Sequence, residues 1–383
     1  MKKKQKKKKL KKSVKVVLVL FILFIIIGLI LCFSNKNKDS LKAKGYNELE
    51  INEINKLTKS EVETIKKYKY NKNISYIINS DNYNPNKLDL YMKYSLKYEK
   101  VDYTKIMSVV NNNDFIEKNI DKYMSLLEKY DNVDGIIKYI NNYSNVDELA
   151  INFVNEKYFI IDNLDRYISY YDKNKSLSFK DIVAQVNSNL DKKAYDDSMP
   201  ADISKGMYTL VNKYYYLGSD YTGVDIINVP GGNAKLNKTA YENFEKMANA
   251  AKKEGLTIQI TTAYRDYNFQ SILYNNYVKT DGVKAADTYS ARPGYSEHQL
   301  GYSADLTNGS HVSFGEFENT KEFEWLDKNA YKYGFILRFP KDKENLTGYI
   351  YESWHYRYVG VDIAKYIKEN NISYEEYYAY FLR

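Results

Sequence analysis

The 383-residue chain has one cysteine, Cys32, and three histidines. A lone cysteine excludes any internal disulfide, so apolar cores must carry the stability, and a hydrophobic fraction of 44% is enough to build them. Positive charge is also missing where a nucleic acid would need it. Taking the ten lysines of residues 1–15 from the net charge of +8 leaves −2 for everything downstream, so no basic footprint for nucleic acid exists there. The length points to two or three domains. The 42 tyrosines, with many lysines and asparagines, are what AT-rich codon usage produces, and that excess says little about function.

What is present begins with "VVLVLFILFIIIGLILCF", residues 16–33, an uninterrupted apolar run of 18. As a helix rising about 1.5 Å per residue it covers roughly 27 Å, close to the hydrocarbon thickness of a bilayer. The Lys-rich tail 1–15 on its amino side predicts a single-pass anchor in the cell membrane, with the tail cytoplasmic and residues 34 onward outside the cell. A cleaved signal peptide is the competing reading, but "LILCFSNK" offers no small-residue cleavage site. Leu31 likewise stands where a lipoprotein signal wants a small residue, so Cys32 reads as an ordinary membrane-facing thiol.

A polar linker, 34–44, leads into a helical, weakly repetitive spacer, 45–230. The repeat shows in "KLDLYMKYSLKYEKVDYTKIMSVVN", "NIDKYMSLLEKYDNVDGIIKYIN" and "NLDRYISYYDKNKSLSFKDIVAQVN". Each has Leu or Ile followed by Asp, a tyrosine two positions on at Tyr91, Tyr123 or Tyr167, and an apolar stretch closing on Asn. Tyrosine at helical spacing reads as a core face with a wet hydroxyl, although contact with the cell wall or a partner protein is the sharper alternative. Pro230, Gly231 and Gly232 mark a boundary. The distal domain, 236–383, then reads helix, strand, helix, long loop, helix, strand, strand, helix. Its first helix is expected to open on a capping box of Thr239 and Glu242 and to stop at Gly255. A βαβ rhythm is absent, which predicts an α+β domain with helices packed on an antiparallel sheet.

Two stretches carry chemistry. "SARPGYSEHQLGYSADL" holds His298 seven residues ahead of Asp305, and "YESWHYRYVG" holds Glu352 three residues ahead of His355. Catalytic zinc usually takes three protein ligands from His, Asp and Glu and keeps one position open, and His298, Asp305 and His355 supply such a set. Gly301, Ser303 and Ala304 are expected to let the backbone fold closely around the ion. An open metal position acidifies water, and Glu352 is placed to take its proton as the water attacks a carbonyl. Arg265, just after a predicted strand "LTIQIT", offers a fixed cation for the oxyanion. Each motif alone occurs by chance; together they use two of the three histidines. His311, in a polar loop, reads as solvated.

"YRDYNFQ", "YSARPGYSEHQLGYSADL", "YGFILRFP" and "TGYIYESWHYRYVG" resemble the VanY-like D-alanyl-D-alanine carboxypeptidases, zinc peptidases that trim peptidoglycan stem peptides. The resemblance runs from about Leu236 to the carboxyl end. It implies zinc bound by His298, Asp305 and His355, Glu352 as catalytic base, and Arg265, Gln270 and Ser296 holding the substrate's carbonyl and terminal carboxylate. It departs at Asp266, where the family often has Ser, and at Ser353, where Pro is common. An L,D-carboxypeptidase acting on tetrapeptide stems, or a non-catalytic cell-wall-binding module, are the competing readings; an acid beside an open metal position argues against the second.

Overall fold

The computed structural model describes residues 37–143, 145–309 and 314–383. The expected tail and anchor, with Cys32, and also His311 lie outside the described residues. Among the described residues no helix is long and apolar enough to cross a membrane. The described residues divide into two compact units, the first ending at Lys157 and the second beginning at Tyr158.

The first unit is helical. Residues 37–43, expected as polar linker, are helical because Leu41 is fully buried with Ile51, Ile54, Val62 and Ile65. The repeat has a physical basis. Tyr91, on the helix Leu88–Lys97, donates its hydroxyl to Asn111 Oδ1 at 2.5 Å at the end of the helix Tyr103–Asn111. Tyr123, on Ile120–Leu127, does the same to Asn141 on Val133–Asn142. In the second unit Tyr167, on Leu164–Lys173, repeats the bond to Asn187 of Phe179–Asn187. All three tyrosines are fully buried, so the hydroxyls expected to be wet are instead internal ties between paired helices. The asparagine amides continue to the carbonyls of Asn82, Asp114 and Tyr158. Tyr123→Phe is expected to cost about 0.5–1.5 kcal/mol, read as a lower denaturant midpoint; an unchanged midpoint would remove the bond from the account.

The second unit contains eight strands among the described residues. β1 (Met199–Pro200) pairs parallel with β2 (Tyr215–Tyr216), and β3 (Ile226–Asn228) forms a hairpin with β4 (Lys235–Asn237). The boundary signal Pro230–Gly232 is the tip of that hairpin. The chain ahead of it packs into the same core, through Leu210, Val211, Tyr215 and Leu217. β5 (Gln259–Thr262), β6 (Ser303–Thr307), β7 (Phe335–Leu337) and β8 (His355–Tyr358) form an antiparallel sheet in the order β5-β6-β8-β7. The helices Lys238–Lys253, Lys321–Asn329 and Val361–Asn370 pack on one face of it, where Phe244, Met247, Leu326 and Ile367 share a core with Ala304, Leu306 and Tyr356. The expected α+β arrangement is present. β6 was expected as part of a long loop. The first helix is capped by Asn237, whose side chain accepts from Ala240 N at 3.2 Å, and not by Thr239 with Glu242: β4 runs straight into the helix, which puts the cap two residues earlier.

Candidate metal centre

Sheet register builds half of the site. Asp305 on β6 lies directly opposite His355 on β8. Directly opposed residues bring their Cβ atoms to about 4.5–5.5 Å, and a slip of one residue would turn either to the other face. Alternation then sorts the neighbours: Ser303, Asp305, His355 and Arg357 face one side, while Ala304, Leu306, Tyr356 and Tyr358 enter the core.

His298 arrives on a 3-10 turn, Glu297–Leu300, capped by Ser296 and closed by Gly301 at φ +85°. The positive φ is what requires glycine there; a Cβ would also lie 2.2 Å from Ile226 Cδ1 and push that side-chain tip aside. Gly301 thus ends the turn, and Ser303 and Ala304 begin the buried strand β6; the expectation that these three wrap around an ion is corrected. His298 Nδ1 lies 2.6 Å from Ala263 O, which fixes its proton on Nδ1 and leaves the lone pair on Nε2. That Nε2 is 3.4 Å from Asp305 Oδ1, and His355 Nδ1 is 3.2 Å from the same oxygen.

These separations carry a test of the donor set. Two ligands about 2.0–2.1 Å from one tetrahedral ion lie roughly 3.3 Å apart. His298 Nε2 and Asp305 Oδ1 are buried and have no hydrogen-bond partner among the described residues, as expected of atoms whose partner is a cation between them. Ligand atoms of His298, Asp305 and His355 all lie within 4.8 Å of one another. Two imidazoles and one carboxylate fit zinc.

The electrostatics agree. Burial works against a charged His355, yet hydrogen bonds and charges from Asp305, Glu297 and Glu352 outweigh it and push that imidazole up to about 9. A position where three carboxylates draw a proton onto a histidine is one where a cation is stabilised. His298 goes the other way, to about 4, through burial and the charge of Arg265. Glu352 Oε2 stands 3.7 Å from His355 Nδ1. Burial, with Asp305 adding, pushes its carboxyl up to about 7 against the opposing charges of His355 and Arg265.

These residues line one cleft of about 600 Å³ together with Arg265, Gln270, Ser296 and Trp354. Arg265 Nη1 donates to Asp305 Oδ2 at 3.4 Å, and its Nε donates to Gln270 Oε1 at 3.2 Å. Gln270 also donates to Ala291 O at 2.8 Å, so one end of its amide holds the arginine and the other fixes the glutamine. The Ser296 hydroxyl accepts from His298 N at 3.3 Å. Asp266 caps the helix Tyr267–Asp281 by accepting from Phe269 N. Ser353 donates to Phe314 O.

Sequence reasoning missed a buried charge cluster behind His355. Glu297 accepts from Arg338 Nε at 2.9 Å and lies 3.1 Å from Arg357 Nη1; Arg338 also donates twice to Glu375, at 2.9 and 2.5 Å. Glu297 is the residue before a histidine already singled out, which was its only available signal.

Residues 233–361 match the VanY family, described as D-alanyl-D-alanine carboxypeptidase. A putative carboxypeptidase of Bacillus subtilis, YodJ, is 38% identical over 185 residues, which cover 45% of this chain and 67% of that protein. The chain belongs to the VanY family. A D-alanyl-D-alanine carboxypeptidase of Enterococcus faecium is 36% identical to this VanY-family chain, over 46% of it and 59% of the relative. Among solved structures, the LD-carboxypeptidase LdcB is 37% identical over 45% of this chain and 85% of its own, with a TM-score of 0.43. A mutant of the vancomycin resistance D,D-pentapeptidase VanY, in complex with Zn(II), is 31% identical over 45% and 98%, with a TM-score of 0.40.

Proposed function

We propose that this chain is a membrane-anchored carboxypeptidase that removes the terminal D-alanine from peptidoglycan stem peptides outside the cell. The observation that carries this reading is the juxtaposition, in one cleft, of a three-ligand metal set and a buried acid that takes no part in that set. Zinc held by His298, Asp305 and His355 would supply a Lewis acid that polarises the scissile carbonyl and acidifies water. Glu352, within reach of the same space, accepts the proton from the attacking water and delivers it to the leaving amine. Arg265, braced by Gln270, presents a fixed positive charge to the developing oxyanion or the terminal carboxylate. Ser296 orders the turn that carries His298. The apolar run 16–33 and the lysines before it support anchoring with the catalytic unit on the outer face.

The test uses the full chain in detergent with a pentapeptide stem ending in D-Ala-D-Ala. Release of D-alanine, abolished by a chelator and restored by zinc, is expected. Release only from a tetrapeptide stem makes the enzyme an L,D-carboxypeptidase. Binding of wall fragments without cleavage makes it a non-catalytic module.

A further inference from the structure

We propose that Glu297 is a positioning residue for His355: its carboxylate accepts a hydrogen bond from Nε2–H, which keeps the proton on that nitrogen and turns the lone pair of Nδ1 toward the ion shared with Asp305 and His298. The inference rests on the metal-site reading above and adds to it a residue that none of the motifs used.

His355 Nδ1 faces Asp305 at 3.2 Å, so the opposite ring nitrogen needs a partner of its own. Nε2 is buried and has no hydrogen bond among the described residues. The group in front of it is Glu297 Oε2, at 3.8 Å, while the ring of Phe339 packs against the imidazole with centroids 5.0 Å apart and offers no acceptor. Closing that gap by about 1 Å gives an ordinary N–H···O bond. Glu297 is itself immobilised. Arg338 Nε lies at 2.9 Å, Arg357 Nη1 at 3.1 Å, and Ser303 Oγ donates to its Oε2 at 3.3 Å. Two guanidiniums keep it ionised, and Ser303 holds the oxygen that faces the ring. Buried partners on the far nitrogen of a ligating histidine fix its tautomer and orientation.

A purely structural role, in which Glu297 only neutralises its arginines, makes a different prediction, and Glu375 separates the two. Glu375 pairs with the same Arg338, whereas the carboxylates paired with His355 among the described residues are those of Glu297, Asp305 and Glu352. Zinc affinity of the full-length protein is measured by competition with a chromophoric chelator, without substrate, so failure of the hydrolytic reading leaves the result interpretable. Glu297→Gln is expected to weaken zinc binding about 10–100-fold, and Glu375→Gln to change it less than about 3-fold. Equal losses in the two variants, or none in Glu297→Gln, overturn the proposal. Should Glu297→Gln fail to fold, nitrogen-15 spectra of the zinc-loaded parent decide, since only three histidines contribute. An Nε2 proton of His355 shifted downfield by a hydrogen bond supports the proposal, and an Nε2 proton without that shift, or a proton on Nδ1, overturns it.

Discussion

Glu352→Gln is expected to lower kcat/KM for a stem pentapeptide by about 10²–10⁴-fold, the range for loss of a positioned general base, and to leave the zinc content unchanged. The amide keeps the size and shape of the carboxyl and cannot take a proton. Glu352 is held where the substitution should be tolerated: its backbone N–H donates to Phe339 O at 3.0 Å, and its neighbour Ser353 is tied to Phe314 O. Among the described residues its carboxylate pairs with His355 and with no lysine or arginine, so removing its charge leaves no guanidinium stranded. Burial already pushes this carboxyl up to about 7, which means that the folded site meets little resistance to a neutral group there. Zinc stoichiometry by atomic absorption, run beside the kinetics, separates the outcomes. Parental turnover in the variant removes Glu352 from the chemistry. Loss of zinc together with turnover makes it a ligand.

The chemistry of this site was legible because it is local. His298 and Asp305 fall within one segment of 17 residues, and Glu352 and His355 are three apart, so residue type and spacing alone bring the candidates forward. What joins the two segments was not legible. β6 reads "SADLT", and all five residues are buried, so the strand lacks the alternation that would announce it and its small residues suggest a loop. The pairing of Asp305 with His355 is a fact of register, which no local pattern encodes. Glu297 was missed for the opposite reason: a glutamate in a polar sequence reads as solvated, and its two arginines come from β8 and the segment after β7, both far along the chain. The boundary near Pro230 failed because a hairpin tip and a linker share the same residues. The tyrosine repeat was visible, and its closing asparagine was part of the pattern, but the bond between them needs two helices side by side.

Arg338→Met should destabilise the second unit by about 3–5 kcal/mol, the cost of breaking a buried ion pair from one side. At roughly 2–4 °C per kcal/mol for a unit of this size, its thermal transition moves down by about 10 °C. Arg338 is 1% exposed, and its guanidinium is shared between Glu297 and Glu375, which are 4% and 1% exposed. Methionine fills comparable space, and it leaves two carboxylates without the charge that made their burial tolerable; Arg357 remains beside Glu297, and Asn212 Nδ2 donates to Glu375 at 3.3 Å, a weaker substitute. Distance alone does not predict this effect. Lys341 and Glu318 form an equally short pair, 2.5 Å, but their side chains are 61% and 30% exposed, so water competes for both. Lys341→Met should therefore cost less than about 1 kcal/mol. Differential scanning calorimetry of both variants checks the contrast. Similar shifts for the two would mean that the buried cluster holds nothing together. Because Glu375 belongs to the carboxyl-terminal helix Tyr374–Tyr377, a large loss for Arg338→Met alone also identifies the tie through which the end of the chain is fastened behind His355.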